Sequence, residues 1–298
     1  MLVNFKEIRE RARSLSGAKV AVPMGHDVAS LEALISASES GLAGSYIIGS
    51  EEEVKKSLEI LGKELPEDIE VINCLDPKEA ALEAVRLVSS GKAGMLMKGL
   101  LKTSIFLGAV LDENIGLRTG RLLSHVAVVH VPKQDRLVAI TDGGMVIRPD
   151  KEQAIQIALN GADVMVKLGA DRGRVALLAA VEVVNKKMPE TALWAEIAEE
   201  GIAGVDVAGP VAVDGAMDLE AAAIKKMTGP VAGRANVLVS PDVASGNMFA
   251  KGFMYMTNTE VGGLIAGAAA PIVMLSRSDS AATKLNSLAL GAVIAGGE

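Results

Sequence analysis

Residues 19–49 read KVAVPMGHDVASLEALISASESGLAGSYIIG, and this stretch decides the fold class. KVAVPM (19–24) and GSYIIG (44–49) are short, β-branched apolar runs, and 27–39 between them is longer with helical periodicity. Strands that are apolar almost throughout, separated by helices, belong to a mostly parallel sheet covered on both faces. The pattern continues along the chain. IEVINC (69–74), AGMLMK (93–98), GRVALLAA (173–180), GVDVAG (204–209), RANVLVS (234–240) and APIVML (270–275) read as strands. Helical segments are expected at 51–63, 77–90, 150–168, 189–200, 217–227 and 279–294. SHVAVVHV (124–131) and RLVAIT (136–141) flank a polar turn at Lys133 to Asp135 and predict a hairpin instead.

The totals agree with layered α/β packing. Half of the 298 residues are apolar but only 2% are aromatic, so Val, Ile, Leu, Ala and Met must fill the core, helped by 31 glycines. That length suits one large or two medium domains. A net charge of −7 argues against nucleic-acid and anionic-membrane partners, so a bound anion must be held by local groups. Mean hydropathy is +0.34. The longest uncharged apolar run, 261–275, has 15 residues and contains Pro271, short of the roughly 18–20 that a spanning helix needs. MLVNFKEIRERARSL is charged throughout, unlike a signal peptide. The lone Cys74 leaves no internal disulfide and fits a reducing compartment, so a cytoplasmic location is expected.

In the last helix Ala282, Leu285, Leu288, Ala289, Ala292 and Val293 share one face. The hairpin near residue 132 is the best domain break. The expected division is 1–131 plus 272–298 as one α/β domain and 132–271 as the other.

Ligands of open α/β sheets bind beyond the strands' carboxyl ends, and several loops there are polar or glycine-rich. MKGLLKTS (97–104) puts Lys98 and Lys102 at the start of a helix, where the macrodipole disfavours cations. Either a bound phosphate resolves that conflict or both lysines extend into solvent. RTGRLLSHV (118–126) carries Arg118, Arg121, Ser124 and His125. His125 is a base, a donor to a carbonyl oxygen, or a strand-edge residue; His130 reads as structural, and His26 follows the first strand. SPDVASGNM (240–248) offers Asn247, while Pro241 and Asp242 need only a helix start to explain them. TDGGMVIRPD (141–150) reads as a flexible connection through Asp142-Gly143-Gly144. In SRSDS (276–280), capping accounts for Ser278, Asp279 and Ser280, but not for Arg277, a cation at a helix N-terminus. A guanidinium beside free amides is a cradle for a phosphoryl oxygen. No G-x-G-x-x-G after a strand, Walker A lysine, G-x-S-x-G elbow or zinc spacing occurs.

The blocks MKGLLKTS, TGRLLSHVAVV, ITDGGMVIRPDKEQAIQIA, GPVAVDGAMD, ANVLVSPDVASGNM and SRSDSAATKL occur in this order. Together they resemble the phosphate acetyl/butyryl transferase family, nearest its butyryl branch. The resemblance implies two three-layer α/β/α domains of the isocitrate/isopropylmalate-dehydrogenase-like type with an interdomain cleft, and a homodimer. It implies that an acyl-CoA and inorganic phosphate exchange to give an acyl phosphate and CoA through a ternary complex, without metal or resident cofactor. The family's Ser-Arg corresponds to Ser276-Arg277. Where the acetyl branch carries an acidic residue beyond it, 285–290 has none, so the proton acceptor is either Asp279 or His125. Arg277 is expected on phosphate and the developing charge, with Ser276 and Ser278 donating to phosphate or sulfur. Lys98, Lys102, Arg121, Ser124, Ser280 and Asn247 are the expected CoA or phosphate contacts, and the small Gly143, Gly144 and Ala244 leave room for a butyryl chain. The alternatives are an acetyl-specific enzyme, a non-catalytic CoA-binding protein, and a metal- and NAD-linked dehydrogenase of the same fold. The last would need Asp214, Asp218 and Asp242 to cluster.

Overall fold

The computed structural model describes residues 1–15, 17–276 and 278–296. The chain forms two α/β units. One, here the split unit, comprises Phe5–Arg121 and the residues from Gly262 onward; the central unit comprises Met1–Asn4 and Leu122–Val261.

The split unit opens with α1 (Phe5–Ser14), β1 (Lys19–Pro23), α2 (Val28–Glu39), β2 (Gly44–Gly49) and α3 (Glu51–Leu61). Then come β3 (Ile69–Asn73), α4 (Pro77–Ser89), β4 (Met95–Met97) and α5 (Thr103–Val110). The helices start where the sequence supplies caps: Asp27 accepts from the Ser30 amide, Ser50 from that of Glu53, and Asp76 from those of Lys78 and Glu79. Gly62, at φ 61°, closes α3 in the left-handed conformation. β1 pairs in parallel with β2 and β4, and β2 with β3. The strand order β3-β2-β1-β4 therefore reverses direction at β1. Right-handed crossovers place α2 and α3 on one face and α4 on the other.

The central unit contains β5 (Ser124–Val131), a 3₁₀ turn at Pro132–Gln134, β6 (Arg136–Thr141), α6 (Lys151–Lys167), β7 (Arg174–Leu178) and α7 (Pro189–Glu200). β8 (Asp206–Val211), α8 (Val213–Met217), α9 (Leu219–Ile224), β9 (Val237–Val239) and α10 (Val243–Met256) follow. Its strand order is β5-β6-β9-β7-β8. β5 and β6 form the expected antiparallel hairpin, and the remaining pairs are parallel. A cluster of aliphatic side chains including Val129, Ile140, Leu178, Val211 and Leu238 fills the core.

The chain then completes the split unit with β10 (Val261–Ala266), β11 (Ile272–Val273) and α11 (Ala281–Gly296). β11 pairs in parallel with β4 and antiparallel with β10. α11 packs on α1 and α2.

Several elements differ from expectation. α1 was not foreseen; it buries Phe5, Ile8 and Ala12 from an otherwise charged stretch. The apolar run 261–275 is a strand, a turn and a second strand, broken by the left-handed Gly267 at φ 97°. The helix expected at 217–227 is the shorter α9, which starts at Leu219 because the Asp218 side chain caps it and ends at Ile224, and a separate short helix, α8, precedes it. The units divide at 121/122 and 261/262, whereas the sequence placed the breaks at 131/132 and 271/272. The hairpin explains the first shift: β5 pairs with β6 along its length from Val126 to Val131, so the two strands stay together. β10 pairs with β11 at Ile265 and Ile272, and from Gly262 onward it falls in the split unit.

Candidate active site

In the split unit β1, β4 and β11 run in one direction, and their carboxyl ends meet where the strand order reverses. A pocket of about 470 Å³ opens there, lined by Asp27, Ser30, Lys98, Lys102, Ser276 and Lys284 among others. It lies where an open α/β sheet leaves room for a ligand.

The polar groups arrive from separate elements. Lys98 follows β4; its amide donates to the Val273 carbonyl at 3.0 Å, and its Nζ to the Gly99 carbonyl at 3.4 Å. Gly99 must be glycine, since a Cβ there would run into the carbonyl groups of Pro23 and Met24. This close approach brings the β4 loop against the β1 loop. Lys102 occupies the N-cap position of α5 and gives no side-chain cap. A cation therefore stands beside uncapped helical amides, an arrangement that an anion stabilises. Asp27 is committed to capping α2, accepting from the Ser30 amide at 3.1 Å and hydroxyl at 2.6 Å.

The loop after β11 is internally bonded. The Ser276 amide donates to Asp279 Oδ2 at 2.7 Å, and the Asp279 amide donates back to the Ser276 carbonyl at 3.1 Å. The Ser276 and Ser278 hydroxyls lie 3.0 Å apart. Ser280 caps α11 by accepting from the Thr283 amide at 3.1 Å. Asp279 and Ser280 thus shape the loop. Arg277 lies outside the described residues.

Lys284 was missed in the sequence. It is only 8% exposed, on α11, and lines the same pocket. Among the described residues no carboxylate pairs with it. Its stem is packed in the fold while its ammonium is left for the pocket, where it can meet an anionic ligand. The available signal was that Lys284 is the one charge in the helix AATKLNSLALGAVIAG. Arg121 is exposed, its amide on the Thr119 hydroxyl, and does not line this pocket.

The central unit positions its own candidates. Ser124 is fully buried and accepts from Asn160 Nδ2 at 2.9 Å, which gives it a place in the core. The His125 amide donates to Asp142 Oδ1 at 3.2 Å, and its side chain packs against Gly144. Asn247, on α10, donates to the Gly143 carbonyl at 2.9 Å. Asp142 is the organising group. Besides His125 it accepts from the amides of Gly144 at 2.7 Å, Met145 at 3.0 Å and Val146 at 3.0 Å, and it is 3% exposed. The Asp142-Gly143-Gly144 segment is therefore not the flexible connection expected but a loop tied to a buried carboxylate. Gly246 completes the contact, since a Cβ there would meet the Asp142 carbonyl. Asp242 caps α10; the Ser245 hydroxyl and amide hold its carboxyl below the usual range.

The other histidines have structural places. His26 Nδ1 accepts from the Ser50 amide at 3.3 Å, and His130 Nε2 lies 3.0 Å from Asp135. The three aspartates that a metal-linked dehydrogenase would need do separate work. Asp214 pairs with Lys225, Asp218 caps α9 and pairs with Lys133, and Asp242 caps α10. No helix of the described residues is long and apolar enough to cross a membrane.

Known proteins resemble this chain along nearly its whole length. The family model described as Phosphate acetyl/butaryl transferase matches residues 3–292. A phosphate butyryltransferase of Clostridium acetobutylicum is 41% identical over 300 residues, covering 99% of each chain. A phosphate acetyltransferase of Thermotoga maritima is 36% identical, over 98% of this chain and 99% of its own. Among solved structures, a branched-chain phosphotransacylase from Enterococcus faecalis V583 superposes with a TM-score of 0.83 at 30% identity, over 93% of this chain and 99% of that one. With the family model spanning nearly the whole chain and both units built as the sequence blocks imply, the chain belongs to the phosphate acetyl/butyryl transferase family and is a phosphate acyltransferase.

Proposed function

We propose that the split-unit pocket holds the inorganic phosphate or phosphoryl group, and that the enzyme moves a short-chain acyl group, butyryl by preference, between CoA and phosphate. The observation that carries this proposal is that Lys284, with no carboxylate pair among the described residues, shares one pocket with Lys98, Lys102 and the uncapped start of α5. The butyryl preference is supported by the 41% identity to the Clostridium acetobutylicum enzyme, above the 36% to the Thermotoga maritima acetyltransferase.

In the acyl-phosphate-forming direction a phosphate oxygen attacks the thioester carbonyl and forms the new C–O bond. The carbonyl π electrons move onto its oxygen, then return as the C–S bond breaks and CoA leaves as thiolate. Ser276 Oγ is bonded to Ser278, which supports direct attack in a ternary complex over an activated serine. The lysines bind and orient the phosphate, and Arg277 is assigned to the charge that grows on the carbonyl oxygen. Each such donor contributes about 10²–10³ in rate. The reverse reaction needs a proton acceptor for the CoA thiol, and Asp279 and His125 are the two candidates. We also place the enzyme in the cytoplasm as a homodimer, to be checked by cell fractionation and sedimentation velocity.

The test is phosphate-dependent release of CoA thiol from acetyl-, propionyl-, butyryl- and isobutyryl-CoA by wild type and Arg277→Ala. Release that peaks at four carbons and falls about 10²–10³-fold in the variant is the expected result. A maximum with acetyl-CoA would overturn the chain-length assignment, and full activity in Arg277→Ala would remove that residue from the mechanism.

A further inference from the structure

We propose that the central unit carries a second small-molecule site, for a ligand presenting an oxyanion of two or more negative charges, in a cavity at the amino-terminal ends of β6, β7 and β9. The cavity has a volume of about 640 Å³, and its lining includes Lys133, Arg136, Arg174 and Arg234. Arg136 is the first residue of β6, Arg174 the first of β7, and Asn236 immediately precedes β9. Loops after the carboxyl ends of these strands hold Asp142 and Asp242, so the cavity lies at the opposite end of the sheet.

The protein balances these charges only in part: Lys133 and Arg174 have carboxylate partners, whereas among the described residues Arg136 and Arg234 have none. Arg136 is half-buried, donating from Nε to Gln134 Oε1 at 2.7 Å, from Nη1 to the Ala235 carbonyl at 2.6 Å, and from Nη2 to Met217 Sδ at 3.6 Å. A guanidinium has five N–H donors, so two are left over. No carboxylate among the described residues forms an ion pair with it. Burial, and then the like charge of Arg174, push its pKa down. Arg174 is held in place because its amide donates to Asn236 Oδ1 at 2.7 Å, while Nη2 reaches Asp171 at 2.7 Å. Arg234 is exposed, and among the described residues no carboxylate pairs with it.

Two carboxylates also line the cavity, Asp218 and Glu220. Asp218 is occupied, capping α9 through the Glu220 and Ala221 amides and pairing with Lys133 at 3.4 Å. Four side-chain cations thus line the cavity with two carboxylates, and once the Lys133–Asp218 and Arg174–Asp171 pairs are set aside, Arg136 and Arg234 are left with Glu220, in a chain whose net charge is −7. The three contacts of Arg136 explain how the hairpin is tied to the start of β9. They do not explain why Arg174 and Arg234 face the same space. An oxyanion shared between the guanidinium forks would relieve the repulsion and use the spare donors. The volume suits a ligand of nucleotide or tricarboxylate size.

The test is calorimetric titration of the full-length protein with inorganic pyrophosphate and, separately, citrate, without CoA or phosphate. Lys98→Ala/Lys102→Ala removes most of the anion binding proposed for the split unit, and Lys102→Ala alone serves if the double variant is unstable. The expected result is that this background still binds at least one probe. Adding Arg174→Gln and Arg234→Gln, which leave the three contacts of Arg136 intact, should weaken that binding at least about tenfold. Pyrophosphate alone binding would assign the oxyanion to phosphoryl compounds; citrate alone would assign it to polycarboxylates. Failure of both probes to bind that background, or equal binding after the arginines are replaced, would overturn the proposal.

Discussion

Replacing Lys284 with Met keeps the unbranched stem, one heavy atom shorter and of similar volume, but removes the ammonium from the pocket wall. Lys284 is 8% exposed as a residue, and among the described residues no carboxylate pairs with its ammonium. Two unit charges 4 Å apart attract by about 4 kcal/mol at an effective dielectric of about 20. Desolvation and lost water contacts reduce the net value of one charge-assisted hydrogen bond to about 1.5–3 kcal/mol. Lys284→Met should therefore lower kcat/KM for phosphate roughly 10- to 150-fold. Stability should not fall, because an ammonium with no carboxylate pair among the described residues is replaced by an apolar group on a packed stem. Initial rates with phosphate varied at saturating acyl-CoA, together with thermal unfolding of the ligand-free protein, give both numbers. An unchanged kcat/KM with a lowered Tm would refute the reasoning and make Lys284 a packing residue of α11.

Three other outcomes are expected. Asp142→Asn sets an amide nitrogen against backbone N–H groups that now meet carboxylate oxygens, so urea titration should show a loss of about 1–3 kcal/mol; an unchanged midpoint would deny Asp142 its organising place. Gly99→Ala forces a Cβ into the Pro23 and Met24 carbonyl groups, and an overpacking cost of about 1–3 kcal/mol should reduce both Tm and activity as Lys98 shifts. Asp242 has a folded pKa below its usual value, so its stabilising contribution is full above the unfolded value of about 3.9 and is lost as pH falls through the folded one. The stability gap between wild type and Asp242→Asn should therefore narrow on acidification below about pH 4, and a gap that widens in acid would reverse the sign.

The parts of the fold legible in the sequence share one property: their side chains are buried by regular neighbours, so their spacing shows the burial. β1, α2 and β2 follow the periodicity of residues 19–49 because parallel strands covered on both faces exclude polar residues. α1 escaped because it buries only Phe5, Ile8 and Ala12 amid charge, and its amphipathic face acquires meaning only from α11, which arrives hundreds of residues later in the chain. Strand order escaped for a related reason: β11 lies beside β4 through pairings that no local pattern encodes. The functional groups divide in the same way. Lys98 and Lys102 were visible because a cation at a helix start contradicts the helix's own electrostatics, and the contradiction is local. Asp142 was not, because a carboxylate gathering amides from its own loop and from β5 looks in sequence like any Asp-Gly turn. Lys284 lies between these cases. A single charge in an apolar helix is a local contradiction too, but whether it faces solvent or a pocket depends on the packing of α11 against α1 and α2. Charges that conflict with their immediate surroundings can therefore be found in a sequence; whether the conflict is relieved by solvent or by a ligand is decided by distant elements of the fold.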